Sequence, residues 1–100
     1  MPVQPARMSP EARAWFLAEI KYLADRSPSA AARVVESFRV ARQTVSDYPK
    51  IGTVGMIPGT RRVVVGQYVL TTRLRGGIVE IAAIRHSRQG DAYAPTNAKP

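Results

Sequence analysis

Two stretches of the chain place apolar residues three or four positions apart, which is the spacing of an amphipathic helix. In the first stretch the apolar positions are Ala12, Phe16, Ile20 and Leu23. In the second stretch they are Ala31, Val35, Phe38, Ala41 and Val45. Most charged residues of both stretches lie off these stripes. The pattern therefore predicts two helices, each with one apolar face.

Both predicted helices have a clear start, and the connection between them is short. Ser9-Pro10 and Ser27-Pro28 each place a serine N-cap before a proline at the first helical position. The second helix should end before Tyr48-Pro49, because proline disfavours the helical conformation of the residue that precedes it. So short a connection forces the two helices into an antiparallel hairpin. Their combined apolar face is too wide for each other alone, so we expect it to pack on a sheet.

The second half of the chain changes to short β-branched stretches that are separated by glycine. The pattern predicts strands at Thr60–Val65, Tyr68–Leu74 and Ile78–Ile84, joined by the hairpin turns Gly66-Gln67 and Arg75-Gly76-Gly77. In the last strand, apolar residues fall at both odd and even positions. That pattern predicts a strand that is covered on both faces and central in its sheet. It should deliver Arg85, His86 and Arg88 into a loop at the rim of the sheet.

These elements predict an α+β fold in the order β-α-α-β-β-β, with a helical hairpin packed on a small, mainly antiparallel sheet. Residues 1–8 make at most an edge strand, because they contain two prolines. Lys50–Gly59 is expected to be a loop whose Ile51, Val54 and Ile57 pack against the core. Residues 1–90 form one domain and residues 91–100 a flexible tail. The expected core residues are Phe16, Ile20, Leu23, Val35, Phe38, Val45, Leu70 and Ile81.

The composition shows that the chain is strongly basic. The 100-residue chain carries fifteen Lys and Arg against seven Asp and Glu, for a net charge of +8. This balance favours an acidic partner, either nucleic acid or an acidic protein segment. A basic surface that only aids solubility remains an alternative. Cysteine is absent, which excludes disulfides and thiolate metal sites, and we expect no cofactor. We also expect a cytoplasmic protein without a membrane partner, since no apolar run has the length of a membrane span.

Four short motifs carry a resemblance to a known family. They are Ser9-Pro10-Glu11-Ala12, Asp47-Tyr48-Pro49-Lys50-Ile51-Gly52, Pro58-Gly59-Thr60-Arg61 and Ile84-Arg85-His86-Ser87-Arg88-Gln89. In this order, and with the predicted elements and basic charge, the chain resembles the RelE/ParE family of bacterial type II toxins over about residues 8–91. The last two motifs resemble the ParE branch more than the RelE branch. The resemblance implies a toxin that inhibits DNA gyrase by binding it. It also implies a ParD-like antitoxin that neutralises the toxin in a hetero-oligomeric complex.

Two alternatives stay open at this point. A RelE-like member is implied to cleave ribosome-bound mRNA, and such chemistry requires a base, an acid and cations around one phosphate. The candidates for that role are His86, Arg88, Arg61 and Tyr93. Histidine suits proton transfer near neutral pH, whereas arginine is a poor base. A lone histidine at a strand end is more often structural. The other alternative is a catalytically inert module that only binds its antitoxin.

The basic residues of the chain and its C-terminal rim are the candidates for binding these implied partners. For the gyrase target, the expected binding residues are Arg85, His86, Arg88, Asp91 and Tyr93. For the antitoxin, the expected binding residues are Trp15, Arg39, Arg42, Arg61, Arg62 and Arg73. The sequence contains no cluster that predicts a metal site.

Overall fold

A single residue separates the two helices of the hairpin. The computed structural model describes residues 4–87, with helix α1 at Pro10–Arg26 and helix α2 at Pro28–Asp47. The Ser27 side chain accepts a hydrogen bond from the Ala30 N–H, while the Ser27 N–H donates to the carbonyl oxygen of Leu23. Ser27 thus ends α1 and begins α2. The predicted helix starts, the hairpin and the end of α2 before Tyr48-Pro49 are confirmed.

Within residues 4–87, five strands form one sheet beneath the hairpin. They are β1 (Arg7–Met8), β2 (Thr53–Val54), β3 (Thr60–Val65), β4 (Tyr68–Arg75) and β5 (Ile78–His86), in the spatial order β1-β5-β4-β3-β2. Strand β1 runs parallel to β5, and the other neighbours are antiparallel. The predicted α+β class and the mainly antiparallel sheet are confirmed. The predicted tail, residues 91–100, lies outside the described residues.

Strand β2 corrects the prediction that Lys50–Gly59 is a loop throughout. Its two residues pair with Arg62 and Arg61 of β3 and extend the sheet by one edge strand. Val54 is 72% exposed and Ile51 is 38% exposed, so neither packs against the core as predicted. A strand of two residues is too short to produce an alternating pattern, which is why the sequence did not indicate it.

The interior position of β5, between β1 and β4, is confirmed, but its mixed apolar pattern has an unexpected cause. Thr71 of β4 pairs with Ala83, whereas the next residue, Thr72, pairs with Ile81. Ala82 is therefore one extra residue in β5, a β-bulge. A bulge shifts the alternation of side chains by one position. Apolar residues of one face therefore have odd numbers before the bulge and even numbers after it.

The burial of β5 agrees with this interpretation. Val79 and Ile81 before the bulge and Ile84 after it are all buried. Glu80 and Ala83, on the other face, are only half-buried. The prediction that both faces of this strand are covered holds only in part, because Arg85 on the other face is also buried while Ile78 is 38% exposed. The sheet buries one face against the helices.

The core fills the space between this face and the hairpin. Phe38, Val45, Leu70 and Ile81 are buried as predicted, and Phe16, Ile20 and Leu23 are half-buried. The Phe16 ring lies 4.7 Å from that of Phe38, measured between centroids. The buried or partly buried side chains of α2 that contact the core are Ala31, Val34, Phe38, Ala41 and Val45.

One predicted core residue of α2 is wrong. Val35 is 44% exposed, and Val34 packs against the core in its place. The sequence stripe took a step of four residues after Ala31, whereas the helix takes a step of three. Because both steps are compatible with an amphipathic helix, the two valines could not be distinguished from spacing alone.

Candidate functional site

Four side chains from three elements meet where α1 crosses the sheet. Trp15 and Glu19 lie one turn apart on α1, so they project from the same side of the helix. Tyr68 of β4 and His86 of β5 are directly paired in the antiparallel ladder, which places their side chains next to each other on one face. We call these four residues the His86 cluster.

Tyr68 and His86 both make their polar contact in this cluster with the Glu19 carboxylate. The Tyr68 hydroxyl donates a hydrogen bond to Glu19 Oε2 at 2.7 Å. His86 Nε2 lies 3.4 Å from the other carboxylate oxygen, Oε1. The imidazole ring also packs edge-on against Trp15, with 5.3 Å between the centroids, and lies 5.2 Å from the Tyr68 ring. The imidazole is therefore held on three sides.

Burial governs the electrostatics of the cluster. The Glu19 side chain is 12% exposed and that of His86 is 25% exposed. Burial raises the pKa of the Tyr68 phenol, and both the hydrogen bond to Glu19 and its negative charge raise it further. Tyr68 therefore stays protonated and remains a hydrogen-bond donor over the whole physiological range.

A cleft of about 580 Å³ lies beside the cluster, between the hairpin and the β3–β4 turn. Its walls combine apolar side chains, such as Leu23, Val34 and Val65, with the polar groups of the His86 cluster. Arg33 is the one arginine among the described lining residues. The cleft has the size of a small-molecule or side-chain site.

The structure does not bring His86 and Arg61 together, as a nuclease site would require. Arg61 pairs with Thr72, four residues along β4 from the partner of His86. At about 3.3 Å per residue, this separates the two positions by about 13 Å along the strand. The Arg61 guanidinium donates instead to the carbonyl oxygen of Gly52 at 3.3 Å. The other two candidates, Arg88 and Tyr93, lie outside the described residues.

The residues expected to bind the target do not form one patch either. Arg85 and His86 both belong to β5, not to a loop beyond it as the sequence predicted. Successive strand residues point to opposite faces, so the side chains of Arg85 and His86 lie on opposite faces of the sheet. Arg85 is 7% exposed, and its Nη1 donates to the His86 carbonyl oxygen at 3.2 Å. Arg88, Asp91 and Tyr93 lie outside the described residues.

The arginines expected to bind the antitoxin are spread over several surfaces. Arg39 is exposed on α2 and forms a bidentate ion pair with Glu36. Arg42 donates to the carbonyl oxygen of Ala6 at 2.8 Å and ties α2 to the chain before β1. The others are Arg61, Arg62 and Arg73 on the sheet, and Trp15 belongs to the His86 cluster.

An apolar groove at the C-terminal end of α2 was not predicted from the sequence. It has a volume of about 810 Å³ and is lined by Tyr48, Pro49, Ile51 and Leu74 together with Asp47 and Lys50. Tyr48 is 66% exposed and Leu74 is 59% exposed. The sequence signal at this groove is the Tyr48-Pro49 pair, which predicts only the end of a helix.

Metal and membrane sites were searched for among residues 4–87. Within these residues, no group of three or more His, Cys, Asp or Glu side chains is placed to hold a metal ion. Nor does any helix in this part of the chain have the length and apolar character needed to cross a membrane.

Comparisons with known proteins give a consistent result. A family model described as "ParE toxin of type II toxin-antitoxin system, parDE" matches residues 6–90. A solved structure titled "Chromosomal ParDE TA system from P. aeruginosa" is similar, with a TM-score of 0.69 at 15% sequence identity. The similarity covers 86% of this chain and 98% of that chain. At this identity the likeness concerns the fold. No curated protein sequence gives a significant match.

Proposed function

The chain belongs to the ParE toxin family of type II toxin–antitoxin systems, and from this premise we propose that it arrests growth by binding DNA gyrase. The match to the family model over residues 6–90 carries this proposal. In the proposed mechanism the toxin performs no bond chemistry. It binds gyrase so that cleaved DNA is not resealed, and a ParD-like antitoxin holds it inactive in a hetero-oligomeric complex.

The geometry of the His86 cluster supports binding over RNA cleavage. Proton transfer to or from RNA requires a base within hydrogen-bond reach of its hydroxyl, and cations must surround the reacting phosphate. The Nε2 atom of His86 faces the Glu19 carboxylate, and Arg61 lies about 13 Å away along β4. In this arrangement the histidine serves to fasten α1 to the sheet.

The cleft beside the His86 cluster is the proposed docking site for the antitoxin. It lies between the hairpin and the sheet, where apolar side chains of an amphipathic segment would contact Leu23, Val34 and Val65. Arg33 in the wall would pair with an acidic side chain of that segment. The net charge of +8 would speed the encounter with an acidic partner and make the association rate sensitive to salt.

The contact with gyrase is proposed for the C-terminal end of β5 and the residues that follow it. Arg85 contributes little area because it is buried. His86, Arg88, Asp91 and Tyr93 would then act as binding groups whose effects accumulate. Their loss should reduce toxicity in steps, and no single one of them should abolish it.

Expression of the toxin without its antitoxin tests the proposed target in cells. Growth arrest should come with induction of the DNA-damage response, while mRNA on ribosomes stays intact. Cleaved ribosome-bound mRNA without DNA damage would contradict the proposal and favour a RelE-like ribonuclease. Normal growth at full toxin levels would favour a module that only binds the antitoxin.

A further inference from the structure

The sheet face that points away from the helices is rich in arginine. Arg7 of β1 is paired with Glu80 of β5, and Glu80 with Arg73 of β4. Paired residues of neighbouring strands lie on the same face, so these three side chains form one row across three strands. Arg75 follows two positions after Arg73 and shares this face. Arg62 of β3 lies on it as well, paired with Thr71. We call Arg7, Arg62, Arg73 and Arg75 the arginine face.

Glu80 fixes part of this face in place. The Nε and Nη2 atoms of Arg73 both lie 2.8 Å from Glu80 Oε1, and Arg75 Nη1 lies 3.7 Å from the same oxygen. The Glu80 side chain is 14% exposed, whereas that of Arg75 is 70% exposed. One largely buried carboxylate thus orients two guanidinium groups. It neutralises only one of the charges around it, so the face stays positive.

The layout of this face suits a repeating row of phosphates. Across the sheet, Arg7 and Arg62 are three strand spacings apart, or about 14 Å, and Arg62 is offset from the row of Arg7 by two residues along its strand. Duplex DNA carries one phosphate for about every 1.7 Å of its axis, so several phosphates would lie within reach. Arginine and threonine side chains are among the groups that proteins use most to contact the DNA backbone, and Thr71 lies beside Arg62 on the same face.

The other residues of the face favour a duplex over a single strand. By the strand pairing, the remaining described positions of β3, β4 and β5 on this face are Thr, Val, Ile and Ala, with the buried Arg85. None of these described positions is aromatic. Proteins that bind single strands stack bases on aromatic side chains, and this face offers no such platform. We propose that the arginine face binds the phosphate backbone of double-stranded DNA.

This inference goes beyond the proposed function, because it assigns the toxin a contact with DNA that requires no gyrase. The test uses the purified full-length chain and a short fluorescein-labelled DNA duplex. Fluorescence anisotropy gives the Kd at several salt concentrations between about 50 and 200 mM. The double variant Arg7→Ala/Arg75→Ala removes two exposed charges from the arginine face. The control Arg13→Ala/Lys21→Ala removes two exposed charges from α1, on the opposite side of the molecule.

The variant of the arginine face should bind the duplex more weakly and lower the slope of log Kd against log salt by about two. The control variant should keep the wild-type slope. Equal losses in both variants would show that the chain's overall charge binds DNA, and would overturn the proposal. An undetectable affinity of the wild type at the lowest salt would do the same. Thermal unfolding followed by circular dichroism checks that both variants are folded.

A second probe separates DNA from an acidic protein. A fluorescein-labelled poly-glutamate peptide replaces the duplex in the same titration. The variant of the arginine face should lose more affinity for the duplex than for this peptide. The reverse order would overturn the proposal in favour of an acidic protein segment. Since neither assay contains gyrase, their results do not depend on whether gyrase is the target.

Discussion

Tyr68 donates a hydrogen bond to Glu19 across 2.7 Å and thereby connects β4 to α1. The two residues are 49 positions apart in the chain, so this bond joins the helical half of the protein to the sheet. His86 meets the same carboxylate from β5. One largely buried acid on α1 thus contacts two neighbouring strands of the sheet.

Removal of the Tyr68 hydroxyl should destabilise the fold. In Tyr68→Phe the ring stays in place, but the Glu19 carboxylate loses a hydrogen bond in a largely buried site. We expect a loss of about 1.5–3 kcal/mol in the free energy of unfolding, as for hydrogen bonds to charged groups, measured by urea denaturation. The control is Tyr22→Phe, since Tyr22 is 53% exposed and its ring can still contact Arg26. Equal urea midpoints for the two variants would contradict the role assigned to Tyr68.

The same phenol should make stability fall at high pH. Its pKa is raised by burial and by Glu19, so the folded state favours the protonated form. This stabilisation is fully present below the unfolded pKa of about 10 and is lost as the pH rises above it. The decline contributed by Tyr68 can reach about 1.4 kcal/mol per pH unit. Urea denaturation between about pH 8 and 11 should show a shallower decline for Tyr68→Phe than for the wild type. Identical declines would contradict the assignment.

Phe38 and Val35 test which face of α2 packs on the sheet. Phe38 is 1% exposed and Val35 is 44% exposed. Phe38→Ala should therefore cost about 3–5 kcal/mol, as is usual for a buried aromatic residue. Val35→Ala should change stability by less than about 0.5 kcal/mol, as at most surface positions. A large loss for Val35→Ala, measured by urea denaturation, would show that the helix is rotated relative to the structure.

Two glycines with the same backbone conformation test the contact between β2 and β3. Gly52 has a φ of 89° and Gly59 a φ of 83°, so alanine is strained at both by about 1–2 kcal/mol. A Cβ on Gly52 would lie 2.2 Å from the carbonyl oxygen of Arg62, whereas a Cβ on Gly59 meets nothing within 4 Å. Gly52→Ala should thus destabilise the protein clearly more than Gly59→Ala in thermal unfolding. Equal melting temperatures would show that β2 does not pair with β3 in solution.

Local signals made the helical half predictable. Ser9 and Ser27 cap the helices through hydrogen bonds that reach only three residues along the chain, so the sequence alone contains both partners. The strands and their hairpin turns were also predictable, because the β-branched stretches and the glycines between them are close together in the sequence. The choice between Val34 and Val35 was not local, because it depends on where the sheet lies. The bulge at Ala82 depends on how β5 pairs with β4. In the sequence it shows only as apolar residues that change from odd to even positions.

The site was less predictable than the fold. His86 was singled out as a residue type, but its partners Glu19 and Tyr68 come from other elements, and no spacing links the three. The arginines were grouped by charge alone. Their faces follow from strand register. It places Arg73 on the sheet face that points away from the helices and Arg61 on the face that packs against them. Side chains that share a charge can therefore belong to unrelated surfaces.

His86 distinguishes gyrase binding from RNA cleavage most directly. Purified toxin, gyrase and supercoiled plasmid are incubated, and cleaved DNA is scored after detergent and protease treatment. Wild-type toxin should trap linear plasmid, and His86→Gln should retain most of this effect, because glutamine can still donate a hydrogen bond to Glu19. In a parallel reaction, neither protein should cut mRNA on ribosomes. The contrary result is no trapped DNA with wild-type toxin, together with ribosomal mRNA cleavage that falls by about 10²–10⁴-fold in His86→Gln.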